Sequence, residues 1–220
     1  MILRVSIVTD DSGVKLPEMD RYREKIGKGV EPSKHAELMK TLKADNIVMP
    51  TNDLENEEHY RSKLSDFVRP ARYMFSGMFS EVRVFHEELS GLCNAELYII
   101  SGRYGLISHD EQILPYEYHL KDLDTVKDLD ARTGFLDRLI SETSGSEYLM
   151  VFLNRLLLSY LLDNRLRERI SESTKLIVVG SSAIKDNLLQ NGHVFLQRRG
   201  VARIGKDNRE KIKKIISGDN

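Results

Sequence analysis

The sequence has no tryptophan and a single cysteine, Cys93, in 220 residues. One thiol excludes a disulfide framework and a multi-cysteine zinc site, and its place beside apolar Leu92 reads as that of a buried, inert group. Charge of neither sign is in excess, since 33 basic side chains face 34 acidic ones. Net charge therefore carries no indication of a nucleic-acid partner, and only local clustering can. No apolar run approaches the roughly 20 residues that span a bilayer; the longest candidate, Tyr148 to Leu162, contains Asn154 and Arg155. Arg4 and Asp10-Asp11 interrupt the first apolar run too early for a signal peptide, so a cytoplasmic location without a membrane partner is expected. The histidines, at 35, 59, 86, 109, 119 and 193, form no HxxxH or HxH pair. A histidine-rich metal site is thereby disfavoured, and no metal or cofactor is expected.

What is present is a chain that is 30% charged and 7% aromatic, the composition of an ordered protein with ample core. Apolar, β-branched runs predict strands at Ile2–Val8, Asn46–Met49, Leu97–Ile100, Tyr148–Leu153, Lys175–Val179 and His193–Leu196. Helical spacing predicts helices at Lys34–Lys43, from Thr51-Asn52-Asp53 to Val68, at Ala71–Leu89 with a bend or start after Ser76, at Thr125–Ser141, and at Asn154–Ile170 with Asn154 as cap. A further helix is expected from Gly180-Ser181-Ser182 to Gln190. A terminal one ends near Ser217, with Asp207 and Glu210 spaced as a capping box. This alternation argues an α/β fold over residues 1–220, a single domain with a mostly parallel or mixed central sheet flanked by helices.

One loop stands out. The strand at Leu97–Ile100 runs into Ser101-Gly102-Arg103-Tyr104-Gly105, then Ser108-His109-Asp110-Glu111, then Pro115-Tyr116. A polar loop at the C-terminal end of a buried strand is where an open α/β sheet usually holds a ligand. Gly102 and Gly105 would let backbone approach a ligand closely or take a positive φ. His109 beside Asp110 has the makings of a general acid or base near neutral pH, as would a surface histidine. Asp110 and Glu111 are adjacent, so only one of them can face a given pocket. The same stretch also reads as a solvated connector.

Two further stretches concern anions. Gly180-Ser181-Ser182 follows a buried strand and precedes a helix, the setting in which free N–H groups bind phosphate, although many crossovers begin this way merely to cap a helix. The second and third glycines of a dinucleotide fingerprint are lacking. Gly200 to Lys206 has P-loop spacing, but Asp207 stands where Ser or Thr would hold magnesium. What remains is a basic stretch with Arg198, Arg199, Arg203 and Lys206, able to track a phosphate backbone or to form a solvated helical face.

The run Ser101-Gly102-Arg103-Tyr104-Gly105-Leu106 through Asp110-Glu111 to Pro115-Tyr116 resembles the YaaA family of peroxide-stress proteins and the broader YaaA-like domains. Pro70-Ala71-Arg72-Tyr73-Met74-Phe75-Ser76-Gly77 resembles a second block of that family, in the expected order. The family's acidic position falls on Asp110 or Glu111, and its N-terminal loop is matched approximately by Asp10, Asp11, Ser12 and Lys15. The resemblance implies a pocket built by residues 101–116 and a link to DNA, RNA, a nucleotide or a nucleobase. In that reading Ser101, Arg103, Tyr104 and Tyr116 line the pocket. Arg103 meets phosphate, the tyrosines stack on a base, and Asp110 or Glu111 reads an amino group or activates water at a glycosidic or related bond. The alternative is a non-catalytic module that senses a nucleotide or protects against stress through partners.

Overall fold

The structure is a computed structural model that describes residues 3–16, 32–181, 193–198, 200 and 202–218. In chain order the elements are β1 (Arg4–Asp10), α1 (Pro32–Ala44), α2 (Glu57–Lys63), β2 (Arg69–Pro70), α3 (Ala71–Met74), α4 (Phe79–Ser90), β3 (Asn94–Ser101), β4 (Gly105–Ser108), β5 (Gln112–Ile113), α5 (Leu123–Thr133), α6 (Phe135–Glu142), β6 (Tyr148–Phe152), α7 (Arg155–Asp163), α8 (Leu166–Arg169), β7 (Lys175–Gly180), β8 (Val194–Gln197) and α9 (Lys206–Ser217). Six strands form one mixed, mostly parallel sheet in the order β4-β3-β1-β6-β7-β8, and β2 pairs with β5 in a small antiparallel ladder. The α/β class expected from the alternating pattern is the observed one. Among the described residues no helix is long and apolar enough to cross a membrane.

Why these strands sit where they do follows from their composition. Every residue of β1 after Arg4 is buried, as parallel strands covered on both faces require. β1, β6, β7 and β8 pair in parallel, with Val5 opposite Tyr148, Leu149 opposite Leu176 and Ile177 opposite Val194. The polar residues of β1 are satisfied in place: Ser6 Oγ lies 2.7 Å from Ser146 Oγ, and Thr9 Oγ1 donates to the Phe152 carbonyl at 3.0 Å. β3 and β4 are neighbours joined by the three-residue turn 102–104, a connection short enough only for an antiparallel pair.

The chain gathers into two compact units, one of residues 1–10, 81–98 and 136–220, the other of residues 11–80 and 99–135. In the first, the Asp10 carboxylate at the end of β1 accepts from the Asn154 N–H at 3.0 Å and from Asn154 Nδ2 at 2.9 Å, and pairs with the Arg203 guanidinium. Asn154 in turn caps α7 through the Leu157 N–H at 3.0 Å, as its position before the apolar run predicts. The second unit is held by the loop after β3 and by the chain it touches, described below.

Several boundaries differ from expectation for local reasons. The stretch 46–49 is no strand, because Asn46 is left-handed (φ 51°) and the Ile47 N–H returns to the Leu42 carbonyl, closing α1. The helix expected over 125–141 is two helices, since Gly134 (φ 59°) ends α5 by donating to Asp130. The helix over 71–89 is interrupted between Met74 and Phe79. Asp207 and Glu210 do not make a capping box. Gly205 is the cap of α9, and the Glu81 carboxylate accepts the N–H groups of Arg203, Ile204 and Gly205 at 2.8, 3.2 and 2.6 Å. The helix predicted over 182–190 lies outside the described residues.

Candidate ligand-binding site

The turn after β3 is built on Ser101. Its Oγ accepts the N–H groups of Arg103 and Tyr104 at 3.2 and 3.1 Å, which uses both lone pairs. Its hydrogen therefore goes to the Tyr116 hydroxyl oxygen, 2.7 Å away, and the Tyr116 O–H donates to the Asp11 carboxylate. The same carboxylate oxygen accepts the Gly102 N–H at 3.1 Å. The proton order Ser101 to Tyr116 to Asp11 is thus set by valence. Tyr116 is fully buried, and burial, followed by the Asp11 charge, pushes its pKa well above 10. The glycines of the turn serve the protein's own packing. Gly105 takes φ 73°, and a Cβ there would stand 2.4 Å from Thr133 Oγ1, while one on Gly102 would stand 3.1 Å from the Tyr118 carbonyl oxygen.

Arg103 does not face a phosphate. Its side chain has no exposed surface, and its guanidinium donates to Asp53 at 2.7 Å and Glu57 at 2.8 Å, and also to the Thr51 and Asp53 carbonyls. Burial opposes its charge, but the two carboxylates outweigh that and raise its pKa. It stacks over Tyr60 and Tyr104, 5.6 and 5.3 Å from the ring centroids. Tyr60 also donates to Asp53 at 2.6 Å. Burial alone would raise the Asp53 pKa, yet hydrogen bonds from Tyr60, the Thr51 N–H and Arg103 hold it well below the usual carboxylate range. Tyr104 is equally engaged. Its hydroxyl donates to Glu57 at 3.1 Å and accepts the Leu114 N–H at 3.2 Å, and burial with the Glu57 charge lifts its pKa to about 12. A tyrosine so placed is no base near neutral pH.

Asp110 and Glu111 are exposed rather than turned into a pocket. Asp110 pairs with Arg72 at 2.7 Å and lies 3.4 Å from His109 Nε2. The roles expected of these two carboxylates and of Arg103 are therefore corrected: the acids look outward and the arginine is consumed inside.

Of the 101–116 run, Pro115 and Tyr116 meet a cavity, and the other groups in its wall come from elsewhere. Residues 14–16 run beside 74–76, with Leu16 N–H donating to Met74 and Ser76 N–H to Val14, both at 2.9 Å. This pairing carries the Lys15 ammonium to 4.4 Å from the Tyr116 ring centroid and 5.9 Å from that of Phe75. Burial lowers the Lys15 pKa, with Asp11 and Glu117 opposing. Lys15, Tyr116, Glu117, His119, Leu38 and Pro115 stand in the wall of a cavity of about 140 Å³. His119 packs on Gly13, where an added Cβ would meet the imidazole at 3.1 Å. Sequence reasoning reached Lys15 and Asp11 only as an approximate match of the N-terminal loop, and missed Asp53, Glu57, Glu117 and His119 as partners. Long-range pairing of a cation with carboxylates some 50 positions earlier leaves no local spacing to read. The Asp53/Glu57 spacing on one face ahead of Tyr60 was the sole local sign.

The anion-directed residues divide. Gly180 ends β7 in the core and Ser181 follows it; Arg198 donates its N–H to the Gly180 carbonyl at 2.7 Å. Arg203 is buried against Asp10 and the Phe152 carbonyl, and burial lowers its pKa to about 10, so it is not a contact for a phosphate backbone. Lys206 is exposed on the first turn of α9, and Arg199 lies outside the described residues. Further along α9, Arg209 and Lys213 are both tied to Glu88, which neutralises part of that helix's basic character. Cys93 is half-buried rather than buried; it donates to the Leu89 carbonyl at 3.4 Å, and the burial it has raises its pKa. Among the described residues no group of three His, Cys, Asp or Glu side chains could hold a metal ion. No family model, no curated protein and no solved structure matches the chain.

Proposed function

We propose that this protein binds a nucleobase, or the base of a nucleoside or nucleotide, in the cavity beside Lys15 and Tyr116, and that it acts as a nucleotide-responsive binding module. The observation that carries this reading is the half-buried Lys15 ammonium at the Tyr116 ring in the cavity wall. At about 140 Å³ the cavity is well below the roughly 300–1,000 Å³ of pockets that enclose drug-sized ligands. A single heterocycle suits that volume, with any sugar or phosphate left outside. Tyr116, Leu38 and Pro115 offer apolar walls, Lys15 offers a donor for a ring carbonyl, and Glu117 offers an acceptor for a ring N–H or amino group. The resemblance of residues 70–116 to YaaA-like domains supports the same class of ligand. The outward course of Asp110 and Glu111 supports binding over cleavage of a glycosidic bond. A long nucleic-acid track along the basic C-terminal stretch has less support, with Arg203 committed to Asp10.

The test is calorimetry and thermal shift with free nucleobases, nucleosides and nucleotides on the full chain and on Lys15→Met and Asp110→Asn. Saturable binding of a base-bearing compound, weakened in Lys15→Met and kept in Asp110→Asn, is the expected result. Absence of binding by every purine and pyrimidine compound tried would sink the reading.

A further inference from the structure

We propose a second, separate ligand site: the cavity formed by Arg155, Arg198 and Ser181 at the C-terminal ends of β6, β7 and β8 binds the phosphate of a small phosphomonoester. This cavity, about 160 Å³, is lined by Leu153, Arg155, Leu158, Gly180, Ser181 and Arg198. All belong to one compact unit. Three parallel strands deliver it: β6 leads into Leu153, β7 ends at Gly180 and β8 ends just before Arg198. The carboxyl ends of parallel strands are where an α/β sheet offers a crevice to ligands.

Two observations point to an anion there. The first is charge without a counterpart. Several arginines of this chain, among them Arg61, Arg72, Arg103 and Arg203, are held by carboxylates, while Arg4, Arg138 and Arg165 have no ion pair among the described residues. Among the described residues, neither the Arg155 nor the Arg198 guanidinium has an ion pair, and no acidic side chain stands in the cavity wall. Arg155 and Arg198 differ from Arg4, Arg138 and Arg165 in standing together in the wall of one cavity. The second is a stranded donor. Ser181 Oγ is buried and has no hydrogen-bond partner. Such a hydroxyl costs stability unless something accepts from it.

The donor set selects the ligand. Arg155, Arg198 and Ser181 bring guanidinium and hydroxyl donors to the wall and no carboxylate, and a phosphate presents mostly acceptors at neutral pH, in a shape that a guanidinium grips with two parallel bonds. Leu153 and Leu158 supply an apolar floor. The space exceeds what a bare phosphate fills, which leaves room for a few carbon atoms against those leucines. Gly180 keeps that floor open: a Cβ there would stand 3.3 Å from Leu158 Cδ2 and 3.4 Å from Phe195 Cε2.

The experiment is titration calorimetry of the full chain, at low ionic strength, with inorganic phosphate and with glycerol 3-phosphate. Binding is expected to be saturable, tighter for the ester, and about tenfold weaker in each of Arg155→Gln and Arg198→Gln. A variant-free measurement accompanies it: phenylglyoxal labelling of Arg155 and Arg198, read by peptide mass. Phosphate should slow labelling at both arginines, while sodium chloride of equal ionic strength should not. Absence of saturable binding, retention of full affinity in both glutamine variants, or equal protection by chloride and phosphate would each overturn the proposal. Nucleobase binding at Lys15 is read by different ligands and different variants, so either site can fail without the other.

Discussion

Arg103 and Asp53 make a 2.7 Å ion pair in which the arginine side chain has no exposed surface. Glu57 completes the arrangement at 2.8 Å. Removing one member of a buried pair leaves uncompensated charge, at a cost of about 3–5 kcal/mol. Arg103→Met should lower stability by about that amount in urea denaturation, with Arg103→Lys losing less because it keeps the charge and forfeits the fork.

Tyr116→Phe removes the O–H that links Ser101 to Asp11. Ser101 then holds a hydrogen with no acceptor, and Asp11 keeps only the Gly102 N–H from this turn. The expected loss is about 1–3 kcal/mol, the range for a buried polar group stripped of its partner. Chemical denaturation of the variant checks it, and Ser101→Ala in the Tyr116→Phe background should add less than it does alone.

Asp53 titrates abnormally low in the folded chain because Tyr60, the Thr51 N–H and Arg103 favour its charged form over the opposing effect of burial. A carboxylate with a depressed folded pKa stabilises the protein above the unfolded value, about 4, and loses that contribution as pH falls toward the folded value. Asp53→Asn should therefore be less stable than wild type at neutral pH, with the difference shrinking below pH of about 4. Melting temperatures across an acid series would show it, and a constant difference would refute it.

Lys15 has the opposite sign. Burial lowers its folded pKa below 10.5. Between the folded and unfolded values the unfolded chain binds more protons, so stability rises with pH over that window. Lys15→Met should lack the rise, measurable as a flatter melting-temperature profile on the alkaline side. Direct titration of the Lys15 side chain by NMR should place it below 10.5.

Glu81 satisfies three successive N–H groups at the start of α9. Glu81→Ala strips the carboxylate from these N–H groups and should cost about 1–3 kcal/mol. Faster amide exchange confined mainly to residues 203–205 and the helix they lead into would distinguish this local loss from general destabilisation.

What could be read in the sequence was what short-range physics controls. β3, β6 and β7 are apolar runs, and Asn154 caps α7 because it stands before the helical stripe. Gly134 was visible as a residue but not as the end of α5, since its left-handed turn is a choice between continuing and stopping that the flanking pattern leaves open. The span from Ser101 to Tyr116 did contain the hydrogen-bonded centre. Its residue types were a poor guide to direction, however. Arg103 turned inward to Asp53 and Glu57, and Asp110 turned outward to Arg72, because burial and pairing are settled by chain segments tens of residues away.

The division of the chain has a consequence for biosynthesis. The unit of residues 11–80 and 99–135 has all its segments once residue 135 has been made, whereas the other joins residues 1–10 and 81–98 to 136–220. Domains fold as units while the ribosome works at about 5–20 residues per second. β1 must wait for β6 as its parallel partner, and Asp10 waits longer still for Arg203. A nascent chain whose residue 135 has just cleared the ribosome would thus carry every segment of the unit around Ser101 and Tyr116, while β1 still lacks its parallel partner β6.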